Sequence, residues 1–256
     1  MGTKAIDPQS IRNVTLIGHP ADTTPLIHRL HRRTRSGPHT AIPWSTARVD
    51  HTIRITELPG DAPVADLERS IRVADSLIAV LDATTRPSPR LETLLRVADD
   101  HQVARLCLLT ALDDPAADFD RTIAALTDLH GAIPLPLQFP HGTGRRFQGV
   151  VDLLPMWSLR SIAAEMYGPT WHLAAHAYHT LVQTLLNPPP GASLPVDIPL
   201  VELHRHIRAQ TRIGDVLPVL CSPAPRTDDT ALLLDAIARY LPSPLDVCQP
   251  EHALDY

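Results

Sequence analysis

The stretch from Val14 to Leu26 constrains the fold of this chain more than any other. Its first part, Val14 to Gly18, is mostly apolar and predicts a buried strand that ends on a glycine. A short polar turn follows. Thr24 and Pro25 then predict the start of a helix, because threonine caps helices well and proline fits the first helical position. A strand, a tight turn and a helix in this order form the frame in which a phosphate-binding loop would lie.

Apolar runs alternate with helical patterns along most of the chain. Further strands are predicted at residues 51–58, 76–82, 104–110, 133–139 and 216–221. Helices are predicted at residues 66–74, 91–100, 118–130, 165–186, 200–212 and 230–241. Such an alternation predicts an α/β fold in which a mostly parallel sheet carries helices on both faces.

The composition is that of a globular protein without a strong charge. Of its 256 residues, 44% are hydrophobic and 20% are charged, which is enough apolar material for a large core. A net charge of -5 provides no basic field, so we expect no sequence-specific binding to nucleic acid. Cys107, Cys221 and Cys248 lie too far apart to predict a zinc ribbon or a disulfide framework. Because the sequence has no apolar leader and no apolar run of roughly 18 residues, we expect a cytoplasmic protein outside the membrane.

A series of short segments resembles the G domain of elongation factor G, the ribosomal translocase. The segments occur in the family's order and with compatible spacing: Ile11–Val14, Pro59-Gly60, Glu68–Val73, Ala79–Ala83, Ala117–Arg121, Phe147–Leu153 and Tyr240–Asp246. The resemblance implies a P-loop NTPase-like G domain with an inserted subdomain. It also implies a division into a G-domain core at residues 1–148 and 213–247, an inserted subdomain at 149–212 and a C-terminal tail at 248–256.

The phosphate loop departs from the family's pattern. Such a loop needs glycines so that backbone N–H groups can approach the phosphates, a lysine for their charge, and a hydroxyl for magnesium. The family's loop is similar to A-H-I-D-A-G-K-T-T, whereas this chain has the shorter Gly18-His-Pro-Ala-Asp-Thr-Thr-Pro25. Lys4 is the only lysine in the sequence and precedes the first strand, so it cannot replace the missing one.

Two registers of this loop are open. With a gap after Pro20, Asp22 takes the place of the last glycine, Thr23 that of the lysine and Thr24 that of the magnesium-binding hydroxyl. Without the gap, Thr24 takes the lysine place and Pro25 the hydroxyl place. Neither register supplies Gly-Lys. In addition, Asp22 adds a negative charge beside the expected phosphates, which opposes their binding.

The other nucleotide motifs of the family are altered as well. Glu57 stands where the family has the magnesium-side aspartate, and Asp61 replaces the histidine that positions the attacking water. The base-reading N-K-x-D appears as Thr110-Ala-Leu-Asp113, in which only Asp113 could still accept a hydrogen bond from guanine. Ser222-Pro-Ala224 replaces the final base loop, and its proline removes a backbone donor.

These losses together favour a pseudo-GTPase, which acts through protein or ribosome interaction and not as an enzyme. The alternative is an atypical GTP-binding protein of weak affinity. Thr23, Thr24, Glu57 and Asp113 would form its cofactor-binding site, which is vestigial under the first hypothesis. We expect no catalytic residue, no metal ligand and no cofactor, whereas the alternative would use GTP or GDP with magnesium.

Two further expectations concern the partner and a histidine-rich helix. Only ten residues follow Asp246, so the expected protein lacks the later domains through which the family's translocase acts. The partner is an unidentified protein or the ribosome, with no membrane. His172, His176 and His179 share one helical face, a spacing that can hold a metal, but we favour a polar helix face in a histidine-rich chain.

Overall fold

The computed structural model describes residues 7–32, 41–47, 49–58, 62–129, 131–189, 195, 197–222 and 230–247. Some residues discussed above lie outside the described residues, namely Lys4, Pro59, Gly60, Asp61, Pro223, Ala224, Cys248 and the expected tail at 248–256.

A seven-stranded sheet forms the centre of the described fold, in the spatial order β2-β3-β1-β4-β5-β9-β6. Its strands in chain order are β1 Ile11–Gly18, β2 Ile42–Ser45, β3 Asp50–Glu57, β4 Leu77–Asp82, β5 Arg105–Thr110, β6 Ile133–Pro136 and β9 Val216–Cys221. All pairs are parallel except that of β2 with β3. The carboxyl ends of β1, β4, β5 and β9 therefore meet at one edge, where ligands of open α/β sheets bind.

The helices lie on both faces of the sheet, which confirms the predicted architecture. Their bounds are α1 Pro20–Arg32, α2 Val64–Arg72, α3 Pro89–Asp100, α4 Phe119–Asp128, α5 Leu153–Ser158, α6 Arg160–Tyr167, α7 Pro169–Leu186, α8 Leu200–Arg212 and α9 Ala231–Tyr240. One buried apolar cluster includes side chains of α1, α7, α8 and α9, and the other includes those of α2, α3 and α4. The central strands β4, β5 and β9 are buried along nearly their whole length, as strands covered on both faces must be.

A two-stranded antiparallel sheet follows β6. It consists of β7, Gln138–His141, and β8, Gly149–Asp152. The buried side chain of Gln138 ties this hairpin to the main sheet, because its Oε1 accepts a hydrogen bond of 2.8 Å from the backbone N–H of Cys221. The division of the chain into a core and an inserted subdomain stays a prediction.

Two expected helix boundaries are wrong. Helix α1 begins at Pro20 and not at Thr24 and Pro25, so Pro25 lies inside the helix. Pro25 supplies no N–H to the helix, and its ring crowds the carbonyl group of Ala21 four residues earlier. The expected helix at 165–186 is broken between α6 and α7, where Gly168 adopts a positive φ of 53° and Pro169 opens the next helix.

The central sheet predicts a large difference between two leucine truncations. Leu106 on β5 has no exposed surface, whereas Leu173 on α7 is 59% exposed. We expect Leu106→Ala to lower the free energy of unfolding by about 2–5 kcal/mol, because it leaves a cavity in the core. Leu173→Ala is the matched control and should change it by about 0.5 kcal/mol or less. Urea denaturation of both variants measures the difference, and equal effects would contradict the described packing.

Candidate functional site

The turn between β1 and α1 is unusually tight. A Cβ atom on Gly18 would lie 2.7 Å from the carbonyl oxygen of Val80 on β4 and 3.1 Å from Cγ2 of Thr23. Glycine is therefore required where the strand passes to the helix. Only His19 separates Gly18 from the first residue of α1, so the connection contains no extended loop.

The backbone N–H groups in the first turn of α1 are bonded within the chain. Pro20 has no N–H group. The N–H of Ala21 donates to Nδ1 of His19 at 3.2 Å, while those of Asp22 and Thr23 donate to the carbonyl oxygen of His19 at 2.9 and 3.1 Å. The four N-terminal positions of a helix normally leave donors that can bind an anion. Here these donors are absent or already bonded within the chain.

Three of the expected site residues meet at the ends of β3 and α1. The hydroxyl of Thr23 donates to Oε1 of Glu57 and also lies 3.2 Å from the carbonyl oxygen of His19. The hydroxyl of Thr24 lies 3.4 Å from the same glutamate oxygen. Thr23 is buried, while Thr24 and Glu57 are exposed. Thr23 is therefore the hydroxyl that pairs most closely with the carboxylate.

Asp22 faces a second carboxylate at the edge of the sheet. Burial raises the pKa of Asp22 above its ordinary value, and the negative charge of Asp82 raises it further, while His19 and a hydrogen bond with Thr110 lower it. Asp82 ends β4, and its Oδ1 accepts the N–H of Thr84 at 2.7 Å. The first turn of α1 thus carries negative charge where a phosphate loop would need positive charge.

Asp113 follows the carboxyl end of β5, on the same edge of the sheet. It is half-buried and lies in the turn that precedes α4. This turn is held by backbone hydrogen bonds from Asp114 to Ala111 at 3.0 Å and from Gly144 to Leu112 at 3.2 Å. The fold therefore places Asp113 at the edge that carries Thr23, Thr24 and Glu57.

A cavity of about 450 Å³ adjoins the start of α1 on the side of α2 and α3. Its lining includes Gly18 to Asp22, Leu58, Leu67 and the segment from Val80 to Asp82, together with residues between Thr85 and Leu94. Thr23, Thr24, Glu57 and Asp113 do not belong to this lining. The sequence analysis singled out Asp22 but did not predict that Asp82 lies near it. The position of Asp82 at the carboxyl end of a buried strand could have indicated this.

The histidine-rich face of α7 is exposed at His172, His176 and His179. The ring of His179 contacts that of Trp157 edge to face, with centroids 4.8 Å apart. Among the described residues, no group of three or more His, Cys, Asp or Glu side chains is arranged to hold a metal ion. None of the described helices is both long and apolar enough to cross a membrane.

The comparison with known protein families shows to which family the chain belongs. Residues 29–243 match the elongation factor Tu GTP binding domain. The chain belongs to this family. The match begins inside α1, so the assignment does not depend on the altered segment between Gly18 and Pro25.

Individual relatives place the chain with the elongation factor G branch of these GTP-binding domains. It is 36% identical to elongation factor G 2 of Streptomyces coelicolor over 215 residues, which cover 79% of this chain and 31% of the relative. It is 33% identical to elongation factor G of Fervidobacterium nodosum over 211 residues, covering 77% and 30%. The chain therefore spans about a third of the length of these relatives.

A solved structure supports the fold of the family. A crystal structure of a protein from Thermus thermophilus superposes with a TM-score of 0.67, over 93% of this chain and 41% of the other. At 18% identity this likeness concerns the fold alone. The resemblance to an elongation factor G-like domain is thus confirmed.

The raised pKa of Asp22 predicts a pH-dependent effect of removing its charge. Because the folded-state pKa lies above the unfolded-state value, the ionised carboxylate destabilises the fold, and stability is lost as the pH rises through the folded pKa. We expect the change in the free energy of unfolding caused by Asp22→Asn to be more stabilising at pH 7.5 than at about pH 4.5. Urea denaturation across this range measures the difference.

Asp120→Asn is the matched control, because Asp120 is also an acidic residue in the first turn of a helix but is exposed. It shares with Asp22 the effect of the helix dipole, and its exposure to water screens its charge. A pH profile for Asp22→Asn that is indistinguishable from that of Asp120→Asn would show that Asp22 is not held in an unfavourable environment.

Proposed function

We propose that this elongation factor G-like domain is a pseudo-GTPase, which acts by binding a partner and not by hydrolysing GTP. The single observation that carries the proposal is the closed N-terminus of α1. Pro20 has no N–H, and the N–H groups of Ala21, Asp22 and Thr23 all bond to His19. A phosphate would have to break these bonds before it could be bound by the same donors.

The charges at this edge support the same proposal. The negative charge of Asp82 disfavours the ionisation of Asp22. A phosphate group carries further negative charge and would meet both carboxylates without a lysine to offset them. Because arginine cannot replace the compact ammonium group at a phosphate loop, the chain's many arginines do not remedy this loss.

One observation favours the second candidate function, a GTP-binding protein of weak affinity. Thr23, Thr24 and Glu57 bring two hydroxyls and a carboxylate together, and magnesium is bound by such oxygen ligands. Asp113 would then read the guanine. This arrangement is also explained by the hydrogen bond that Thr23 makes with Glu57 to join α1 to β3. We therefore regard these residues as a vestigial site, with no cofactor expected.

The partner in the proposal is a protein or the ribosome, and the protein acts in the cytoplasm. Relatives named elongation factor G support this choice, because the domain has kept their fold while its phosphate loop has changed. A pseudo-GTPase of this kind would not switch between two conformations, because no bound nucleotide orders its loops and no hydrolysis releases them. Its association with a partner should therefore not depend on GTP.

Isothermal calorimetry with GTP and with GDP, each with magnesium, tests the proposal. We expect no saturable binding at nucleotide concentrations up to about 1 mM, which corresponds to a free energy weaker than about -4 kcal/mol. If ribosomes are the partner, the chain should also sediment with them equally well with and without GTP.

Two results would contradict the pseudo-GTPase proposal. Magnesium-dependent binding of GTP with a micromolar dissociation constant, lost in Asp113→Ala and kept in Asp120→Ala, would establish the GTP-binding alternative. Asp120 is a suitable control because it is an exposed aspartate on the neighbouring α4. Sedimentation with ribosomes only in the presence of GTP would contradict the pseudo-GTPase proposal independently.

A further inference from the structure

The cavity beside the start of α1 has the size of a small-molecule site. Its volume of about 450 Å³ falls within the range of roughly 300–1,000 Å³ typical of ligand pockets. It lies at the carboxyl edge of the sheet, where β1 and β4 end side by side. Ligands of open α/β sheets bind at this edge. The cavity, with its shape and lining, is therefore a candidate ligand site in its own right.

The floor of the cavity is apolar and firmly packed. Ile17, Leu67, Leu91 and Leu94 contribute to it, and each of these side chains is at least nine-tenths buried. They belong to β1, α2 and α3, which pack together in one apolar cluster. Because these four side chains belong to regular elements, the floor is already formed before any ligand binds, while the loop from Thr85 to Ser88 completes the lining. An apolar group of a ligand would be buried against these four side chains.

The charged side chains of the lining determine which sign of charge a ligand would carry. Asp22 and Asp82 both line the cavity, and neither belongs to an ion pair described in the structure. Asp82 accepts a hydrogen bond from the backbone N–H of Thr84, which is a neutral partner. The two carboxylates thus lie in one cavity with an apolar floor. A cation placed between them would offset their mutual repulsion.

Two arginines also line the cavity and reduce its negative charge. Arg90 donates a hydrogen bond from its guanidinium group to the carbonyl oxygen of Ala62. Arg86 is exposed, so water screens its charge. Arg90 is half-buried like Asp22 and Asp82 and keeps its charge, so two half-buried carboxylates in the lining stand against one half-buried guanidinium group held at Ala62.

We propose that this cavity binds a small organic cation that joins an apolar body to a protonated amine, the amine between Asp22 and Asp82 and the body against the leucine floor. The lining excludes Thr23, Thr24, Glu57 and Asp113 but includes Gly18 to Asp22 of the altered phosphate loop, and the proposal goes beyond the proposed function because it assigns a ligand class to this cavity. It also does not depend on that function, since an amine site can exist whether or not GTP binds elsewhere.

Three probes with one ring system test the proposal. Tryptamine carries an ammonium group on an indole, indole carries no charge, and indole-3-propionate carries a carboxylate. Titration of each into the whole chain, followed by calorimetry and by amide chemical shifts, gives the order of affinity. We expect tryptamine to bind about tenfold more tightly than indole, because hydrogen bonds to charged groups add to the apolar contact. Indole-3-propionate should bind most weakly.

Substitutions locate the binding. Asp22→Asn and Asp82→Asn should each weaken tryptamine binding by about tenfold while leaving indole binding nearly unchanged. Ala21→Phe should weaken both, because Ala21 is exposed and lines the cavity, so a larger side chain fills the space without disturbing the core. Asp120→Asn is the control for a general loss of negative charge and should have no effect. Thermal denaturation checks that each variant is folded.

Several outcomes would overturn the proposal. Indole-3-propionate binding as tightly as tryptamine would show that Arg86 and Arg90 determine the ligand, and no binding of any probe would show that the cavity is not a ligand site. Tryptamine binding that survives both carboxylate substitutions would place the amine elsewhere. None of these results bears on nucleotide binding, which calorimetry with GTP tests separately, so the two proposals can fail independently.

Discussion

The close contact between Gly18 and Val80 determines how the rest of the carboxyl edge is built. Because a Cβ atom on Gly18 would lie only 2.7 Å from the Val80 carbonyl oxygen, β1 and β4 leave no room for a side chain at this position. The chain turns there, and one residue later α1 begins. His19 then accepts hydrogen bonds from the first turn of the helix through its ring and its carbonyl group. The space that a phosphate loop would enclose is therefore taken up by helix.

The central sheet is held by apolar packing on both of its faces. The strands β4, β5 and β9 are buried between two layers of helices, and the apolar clusters on the two faces include most of the buried side chains. Polar connections that cross elements, such as Gln138 with Cys221 and Thr23 with Glu57, are made within the chain. A fold held in this way can keep its shape after its ligand site has changed, which explains how the family resemblance survives without the phosphate-binding residues.

The sequence predicted the sheet and its helices because buried parallel strands such as β4 and β5 have a clear apolar signature. It did not predict where α1 begins. Thr24 and Pro25 formed a plausible start, but the imidazole and carbonyl of His19 provide a cap five residues before Thr24, and helix propensities do not reveal such a cap. The break at Gly168 was missed because an apolar helical pattern continues across it. Three of the expected site residues meet in space, yet whether they bind GTP depends on backbone donors, which a residue pattern does not reveal.

The amide groups of Ala21, Asp22 and Thr23 provide the most direct test of the closed helix start. We expect their nuclear magnetic resonance signals to stay in place during titration with GTP and magnesium, because the N–H groups remain bonded to His19. Saturable shifts of these three signals, with the same midpoint and absent when ATP replaces GTP, would show that the helix start opens to hold a guanine nucleotide and would contradict the pseudo-GTPase proposal.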